Sequence, residues 1–93
     1  MNKADTGFSY PLFLAKEFDE VSIVEIKGGQ QFREKCINQG IVPGQKLTVL
    51  KKTENGPCLM SLFDSRIMIG REMLSRIFVK KAWIFFTANV RQD

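Results

Sequence analysis

Apolar residues fall along the chain in short clusters of β-branched and aromatic character, punctuated by glycine, proline and asparagine. Val21-Ser22-Ile23-Val24-Glu25-Ile26-Lys27 is rich in side chains that suit a pleated, half-buried surface and stops at Gly28 and Gly29, which predicts a strand and a sharp change of direction. Its alternation is broken, because Val21 and Ile23 share one parity while Val24 and Ile26 take the other. A bulge near Ile23 or burial on both faces accounts for this. Gln30 to Gln39 changes period: Phe32, Cys36 and Ile37 fall toward one helical face and Arg33, Glu34, Lys35 and Asn38 around the other, with Gly40 as the stop. A helix this short is not stable alone and must pack on a sheet.

Pro43 followed by Gly44 has the order a type II turn requires, so a strand is expected directly after it. Lys46 to Lys51 is that strand, with Leu47 and Val49 inward; Thr53-Glu54-Asn55-Gly56 makes a hairpin turn, and Cys58 to Phe63 returns. Asp64 and Ser65 form a second tight connection, Arg66 to Ile69 a further strand with Ile67 and Ile69 on one face, Arg71 to Arg76 a single helical turn, and Ile77 to Val79 a last strand. Short strands this closely spaced, with hairpins and a crossing helix, predict a mostly β small barrel.

The termini read differently. Residues 1–9 form a polar N-terminal tail, and the chain docks onto the core through Tyr10, Leu12 and Leu14. Beyond Val79, Lys80 and Lys81 precede the apolar cluster Ala82-Trp83-Ile84-Phe85-Phe86, whose simplest reading is an added strand with Trp83 and Phe85 on one face. A membrane-interface anchor and an exposed docking surface are the other readings of that segment. No repeat or linker divides the chain, giving a tail over 1–9, one domain over 10–80 and a C-terminal extension over 81–93.

Composition narrows the function. Ninety-three residues suit one core. Fourteen Lys plus Arg against ten Asp plus Glu give +4, enough for solubility but too weak a field to imply nucleic acid, even with Lys51-Lys52 and Lys80-Lys81 taken as a basic patch. Histidine is absent, which removes the commonest general base and the commonest metal ligand. Cys36 and Cys58 fit no CxxC or zinc spacing and read as reduced, buried side chains of a cytoplasmic protein; Met60 and Met68 read as core fillers in strands. No GxSxG, SxxK or GxxxxGK[ST] pattern occurs, and Gly28-Gly29 before a helix is more simply a turn than a phosphate cradle. Apolar runs reach about five residues, well short of the ~18 of a membrane span, and the start lacks both an apolar leader core and a myristoylation glycine. These features predict no enzyme activity, no cofactor and no metal site, leaving contact with a partner as the mode of action.

From Tyr10 to about Val79 the chain resembles the ferrous iron transport protein A family. The residues that carry the likeness are Pro11-Leu12-Phe13-Leu14 as a leading apolar strand, Val21 to Ile26 with Gly28-Gly29, and above all Gln39-Gly40-Ile41-Val42-Pro43-Gly44. Leu47 to Leu50, the Asn55-Gly56-Pro57 corner, Arg66 to Met73 and Ile77 to Val79 follow in order. Asp19-Glu20 stands where the family usually has glycine, Lys35-Cys36 where it has Arg-Leu, and the usual alanine near Leu74 or Ser75 is missing.

The resemblance implies an SH3-like barrel, of the type also found at the C-terminus of iron- and manganese-dependent repressors. It implies a non-enzymatic, cytoplasmic accessory or regulatory role in bacterial ferrous iron uptake. The partner it implies is the ferrous iron permease, through its cytoplasmic GTP-binding domain or its membrane-proximal part, a contact that would place the protein peripherally at the inner membrane. Since SH3-like barrels bind between loops, the expected partner-binding residues are Gly28, Gly29, Pro43, Gly44, Asn55, Gly56 and Pro57, with Trp83 and Phe85 from the C-terminal cluster. The glycines also have the plainer role of shaping turns. The alternatives are a peptide- or ligand-binding regulatory module related to the repressor domain, and a self-associating structural module that uses the Trp83 to Phe86 patch.

Overall fold

The computed structural model describes residues 8–82. Strands β1 (Tyr10–Pro11), β2 (Glu20–Ile26), β3 (Lys46–Lys52), β4 (Cys58–Leu62), β5 (Ser65–Ile69) and β6 (Ile77–Lys81) form one sheet in the order β1-β6-β2-β3-β4-β5. Every neighbouring pair is antiparallel. Helix α1 (Gln30–Asn38) crosses from β2 to β3, and α2 (Arg71–Arg76) joins β5 to β6. A 3-10 turn at Leu12–Leu14 follows β1 and packs against α2, so the two edges of the curled sheet are bridged by helical segments. This is the mostly β, SH3-like small barrel expected from the sequence.

The broken alternation of β2 has a specific cause. The pairing of β2 with β6 slips between Ile23 and Glu25, leaving Val24 without a partner and exposed while Val21, Ile23 and Ile26 all reach the core. A bulge therefore operates, not burial on both faces. A second slip, between Val49 and Lys51 of β3, has no counterpart in the apolar pattern, because Leu47 and Val49 precede it and are buried as expected.

Helix α1 presents Cys36 to the core and half-buries Phe32, but Ile37 is 54% exposed, against the sequence expectation. One residue advances a helix by about 100°, which turns Ile37 off the single stripe that touches the sheet. The helix ends in a Schellman arrangement: the Ile41 amide donates to the Cys36 carbonyl at 2.9 Å and the Gly40 amide to that of Ile37 at 2.9 Å, with Gly40 at φ +86°. The type II turn follows as expected, with Gly44 at φ +92° and the Gln45 amide donating to the Val42 carbonyl at 3.1 Å.

Three local expectations are corrected. The leading strand is confined to Tyr10–Pro11, and the chain then winds as a 3-10 turn whose three-residue period directs Leu12 and Ala15, not Leu14, into the core. The β4–β5 connection is Phe63-Asp64, since Leu62 already pairs with Ser65, and Phe63 takes φ +56°. Met68 is 60% exposed, because Ile67 and Ile69 hold the inward parity of β5; Met60 fills the core as expected. The hairpin turn between β3 and β4 forms as expected, with Asn55 left-handed at φ +57°, and is closed by the Gly56 amide on the Thr53 carbonyl and the Thr53 hydroxyl on the Pro57 carbonyl.

Trp83, Phe85 and the rest of the expected added strand lie outside the described residues. Up to that boundary, Lys81 ends β6, and buried Ala82 donates its amide to the Glu20 carbonyl at 3.0 Å.

Candidate partner-binding cleft

The end of β3 gathers the N-terminal segment. The Lys52 ammonium donates to the carbonyls of Ala15 at 2.7 Å and Phe13 at 2.9 Å, and the Lys52 amide donates to the Glu17 carboxylate at 2.9 Å. A cation against the last carbonyls of a helical turn satisfies acceptors that have no partner within the turn. On the other side, the Arg71 guanidinium at the start of α2 donates to the Asn55 carbonyl at 3.3 Å. The Ser75 hydroxyl donates to the Glu72 carbonyl at 2.8 Å, and Glu72 pairs with Arg76 at 3.1 Å.

Between these anchors lies an open cleft of about 1020 Å³. Cys58 and Leu74 make its apolar floor, Phe13 a partly exposed aromatic wall, and Lys52, Glu54, Arg71 and Glu72 a rim of both signs. An apolar floor with a mixed polar rim suits a peptide or loop of another protein. Among the described residues no group of three or more His, Cys, Asp or Glu is placed to hold a metal ion.

The ionisable groups of the interior are built for packing. Burial pushes the Cys36 thiol up, against a smaller opposing pull from the Lys35 ammonium, which keeps it protonated and inert. Tyr10 is likewise raised, first by burial and then by the Asp19 carboxylate; its hydroxyl has no hydrogen-bond partner among the described residues.

Of the loop residues singled out from the sequence, Asn55 and Gly56 line this cleft and Pro57 adjoins them. Gly28 and Gly29 lie at the other end of the sheet, where the Lys27 amide donates to the Arg76 carbonyl at 2.8 Å. Pro43 and Gly44 are also at that end, tied to β2 by the Gly44 amide on the Ile23 carbonyl at 2.7 Å. Neither Gly28-Gly29 nor Pro43-Gly44 lines the cleft. Gly28, at φ +140°, has a further constraint: a Cβ there would stand 2.9 Å from the Phe32 ring. Phe13, Arg71, Glu72 and Leu74 escaped sequence reasoning as cleft residues because they come from segments that only the tertiary fold brings together. Lys52, read as half of a basic patch, spends its charge on main-chain carbonyls, and Lys81 stands 3.8 Å from Asp19.

No helix among the described residues is long and apolar enough to cross a membrane. The FeoA domain family matches residues 10–81. The chain is 38% identical over 73 residues to the putative Fe(2+) transport protein A of Methanocaldococcus jannaschii, covering 78% of this chain and 88% of that protein. Its fold is similar to the crystal structure of an iron uptake regulatory protein, FeoA, with a TM-score of 0.75 and 31% identity over 80% of this chain and 99% of that one. It also superposes on a manganese-dependent transcriptional repressor with a TM-score of 0.73, at 19% identity and over 41% of the repressor chain, a likeness of fold alone. The order of strands, the glycine-capped helix leading into the Pro43-Gly44 turn, and a match that spans nearly the whole described domain make this chain a member of the FeoA family of ferrous iron transport.

Proposed function

We propose that this protein is a non-enzymatic accessory component of ferrous iron uptake that acts by docking on the ferrous iron permease, through the permease's cytoplasmic GTP-binding domain or its membrane-proximal part. In this reading it works in the cytoplasm and meets the inner membrane only through that partner. The observation that carries the reading is the cleft between the β3–β4 loop, the 3-10 turn and α2, with its apolar floor and charged rim. Family membership supplies the iron-uptake context. Asn55, Gly56 and Pro57 border the primary contact, and Gly28, Gly29, Pro43 and Gly44, which lie outside the cleft lining, would serve only a separate contact.

Chemical-shift titration of the isotope-labelled protein with the purified GTP-binding domain tests this. Saturable shifts at Phe13, Asn55, Gly56 and Arg71 are expected, with ferrous iron alone under reducing conditions producing none. Silence with that domain and with the detergent-solubilised full permease would remove the proposal, and shifts with iron alone would replace contact by metal binding as the primary activity. The repressor-like alternative, a regulatory module for a peptide or small ligand, draws support from the shared fold only.

A further inference from the structure

We propose that the free edge of β5 is a self-association surface that takes β5 of a second copy of this chain, joining the two sheets across a two-fold axis. β5 is the last strand of the sheet, and among the described residues its backbone and side chains make no hydrogen bond except those that pair it with β4. Phe63 and Asp64 close the β4–β5 hairpin on the Leu62–Ser65 pair, which makes that pair a hydrogen-bonded one. Alternation along an antiparallel ladder then turns the N–H and C=O groups of Ile67 and Ile69 toward β4 and leaves those of Arg66 and Met68 directed at the open edge.

That arrangement is complementary to itself. An antiparallel β5–β5 pair centred on Ile67 sets Arg66 opposite Met68 of the second copy, and Met68 opposite its Arg66. Those are the residues whose edge groups are free, so each of the two symmetry-related pairs exchanges both backbone hydrogen bonds. Side-chain parity agrees: Arg66 and Met68 are both exposed and meet on the outer face, while Ser65 and Ile69 meet on the inner face beside the central Ile67 pair. No like charges face one another in this register. Arg66 lays its aliphatic stem over Met68, which is 60% exposed and has half-buried Leu59 as its intrachain partner.

The two edges of the sheet are also treated differently. The β1 edge is only two residues long, contains Pro11 and runs at once into the 3-10 turn. β5 pairs along its five residues without a bulge, contains no proline, and carries a single charged residue, Arg66. A contact this short buries less than the ~1,200 Å² of a standard interface, so the association is weak and concentration-dependent.

Sedimentation velocity of the full chain from about 10 µM to about 1 mM is expected to show a monomer passing to a dimer. Amide exchange over the same range is expected to slow at Arg66 and Met68 selectively. Met68→Lys places a lysine opposite Arg66 of the second copy and is expected to hold the protein monomeric with an unchanged melting temperature, because the position is exposed. Adding Arg66→Glu to Met68→Lys restores opposite charges across the pair and is expected to restore the dimer. A variant with Trp83 and Phe85 replaced by serine is expected to dimerise as the parent does. A monomer throughout the range, a dimer insensitive to Met68→Lys, or a dimer lost with the Trp83 and Phe85 replacements would each overturn the proposal.

Discussion

The Lys52 ammonium sits 2.7 Å from the Ala15 carbonyl and 2.9 Å from that of Phe13, so a single side chain at the end of β3 holds the 3-10 turn against the barrel across 37 and 39 positions of sequence. The same contacts set the Phe13 wall of the cleft in place. Stability and the candidate binding surface are therefore coupled at this lysine. Hydrogen bonds to a charged group are each worth about 1.5–3 kcal/mol, and the partial exposure of the Phe13 contact lowers the sum. Lys52→Met is expected to cost about 2 kcal/mol, read as a fall in melting temperature, and to shift the Phe13 and Leu14 amide resonances more than those of α1. A change confined to β3 would show that the segment is held without this clip.

The interior positions of β3 and β5 give a sharper test of the barrel. Val49 and Ile69 are almost wholly buried. Aspartate at either position sets a charge in an apolar interior without a partner, a penalty comparable to the ~5–15 kcal/mol of stability that a small domain possesses. Val49→Asp and Ile69→Asp are each expected to abolish cooperative thermal unfolding, whereas Val24→Asp at the bulge is expected to leave it in place.

Two glycines separate conformational need from mere small size. Gly44 stands at φ +92° with nothing near a prospective Cβ, so Gly44→Ala is expected to cost about 1–2 kcal/mol from backbone strain alone. Gly29 has φ −76° and equally open surroundings, so Gly29→Ala carries no backbone strain and is expected to cost only the loss of a preferred N-cap residue on α1, about 0.5 kcal/mol and less than Gly44→Ala. Equal effects in urea denaturation would contradict this account of the Pro43-Gly44 turn.

Phe63 reverses that logic, being a bulky residue at φ +56° that is 75% exposed. Its ring contributes little to the core while its backbone occupies a region that favours Gly and Asn. Phe63→Asn is expected to stabilise the protein by about 0.5–1 kcal/mol in the same denaturation measurement.

Alkaline behaviour follows from Cys36. Its folded-state pKa lies above the ordinary 9.0 because burial disfavours the thiolate, so above pH 9 the unfolded chain releases this proton first and stability falls as pH rises toward the folded value. Below pH 9 the stabilisation is fully present. Cys36→Val is expected to flatten stability against pH above about 9, and the native thiol is expected to react with disulfide reagents only as fast as the protein opens.

The order of elements, the inward parity of Leu47 and Val49, the stop at Gly40 and the type II turn at Pro43-Gly44 were all legible from local rules, because each depends on a residue's own dihedral preferences or on a period set by the backbone. The bulge in β2 was half legible: the broken parity of Val24 announced an irregularity, and only pairing with β6 identified it as a slip. Ile37, Leu14 and Met68 were placed wrongly for one reason. Apolar character says that a side chain gains from burial, but which parity or which third of a helix is buried depends on what packs against it.

The cleft lies on that second level. Asn55 and Gly56 were marked by their turn chemistry, while Phe13, Lys52 and Leu74 carry no local signal and acquire their role when the 3-10 turn, the end of β3 and α2 converge. By itself, then, the amino-acid sequence determined the family, the strand order along the chain and the absence of histidine chemistry, since these follow from residue identity and short-range stereochemistry. Only the tertiary structure decided that of these loops only the β3–β4 turn lines the cleft, that the Lys52 charge is consumed internally and that β5 has an open edge among the described residues, because each is a contact or an unmet hydrogen bond between segments distant in sequence.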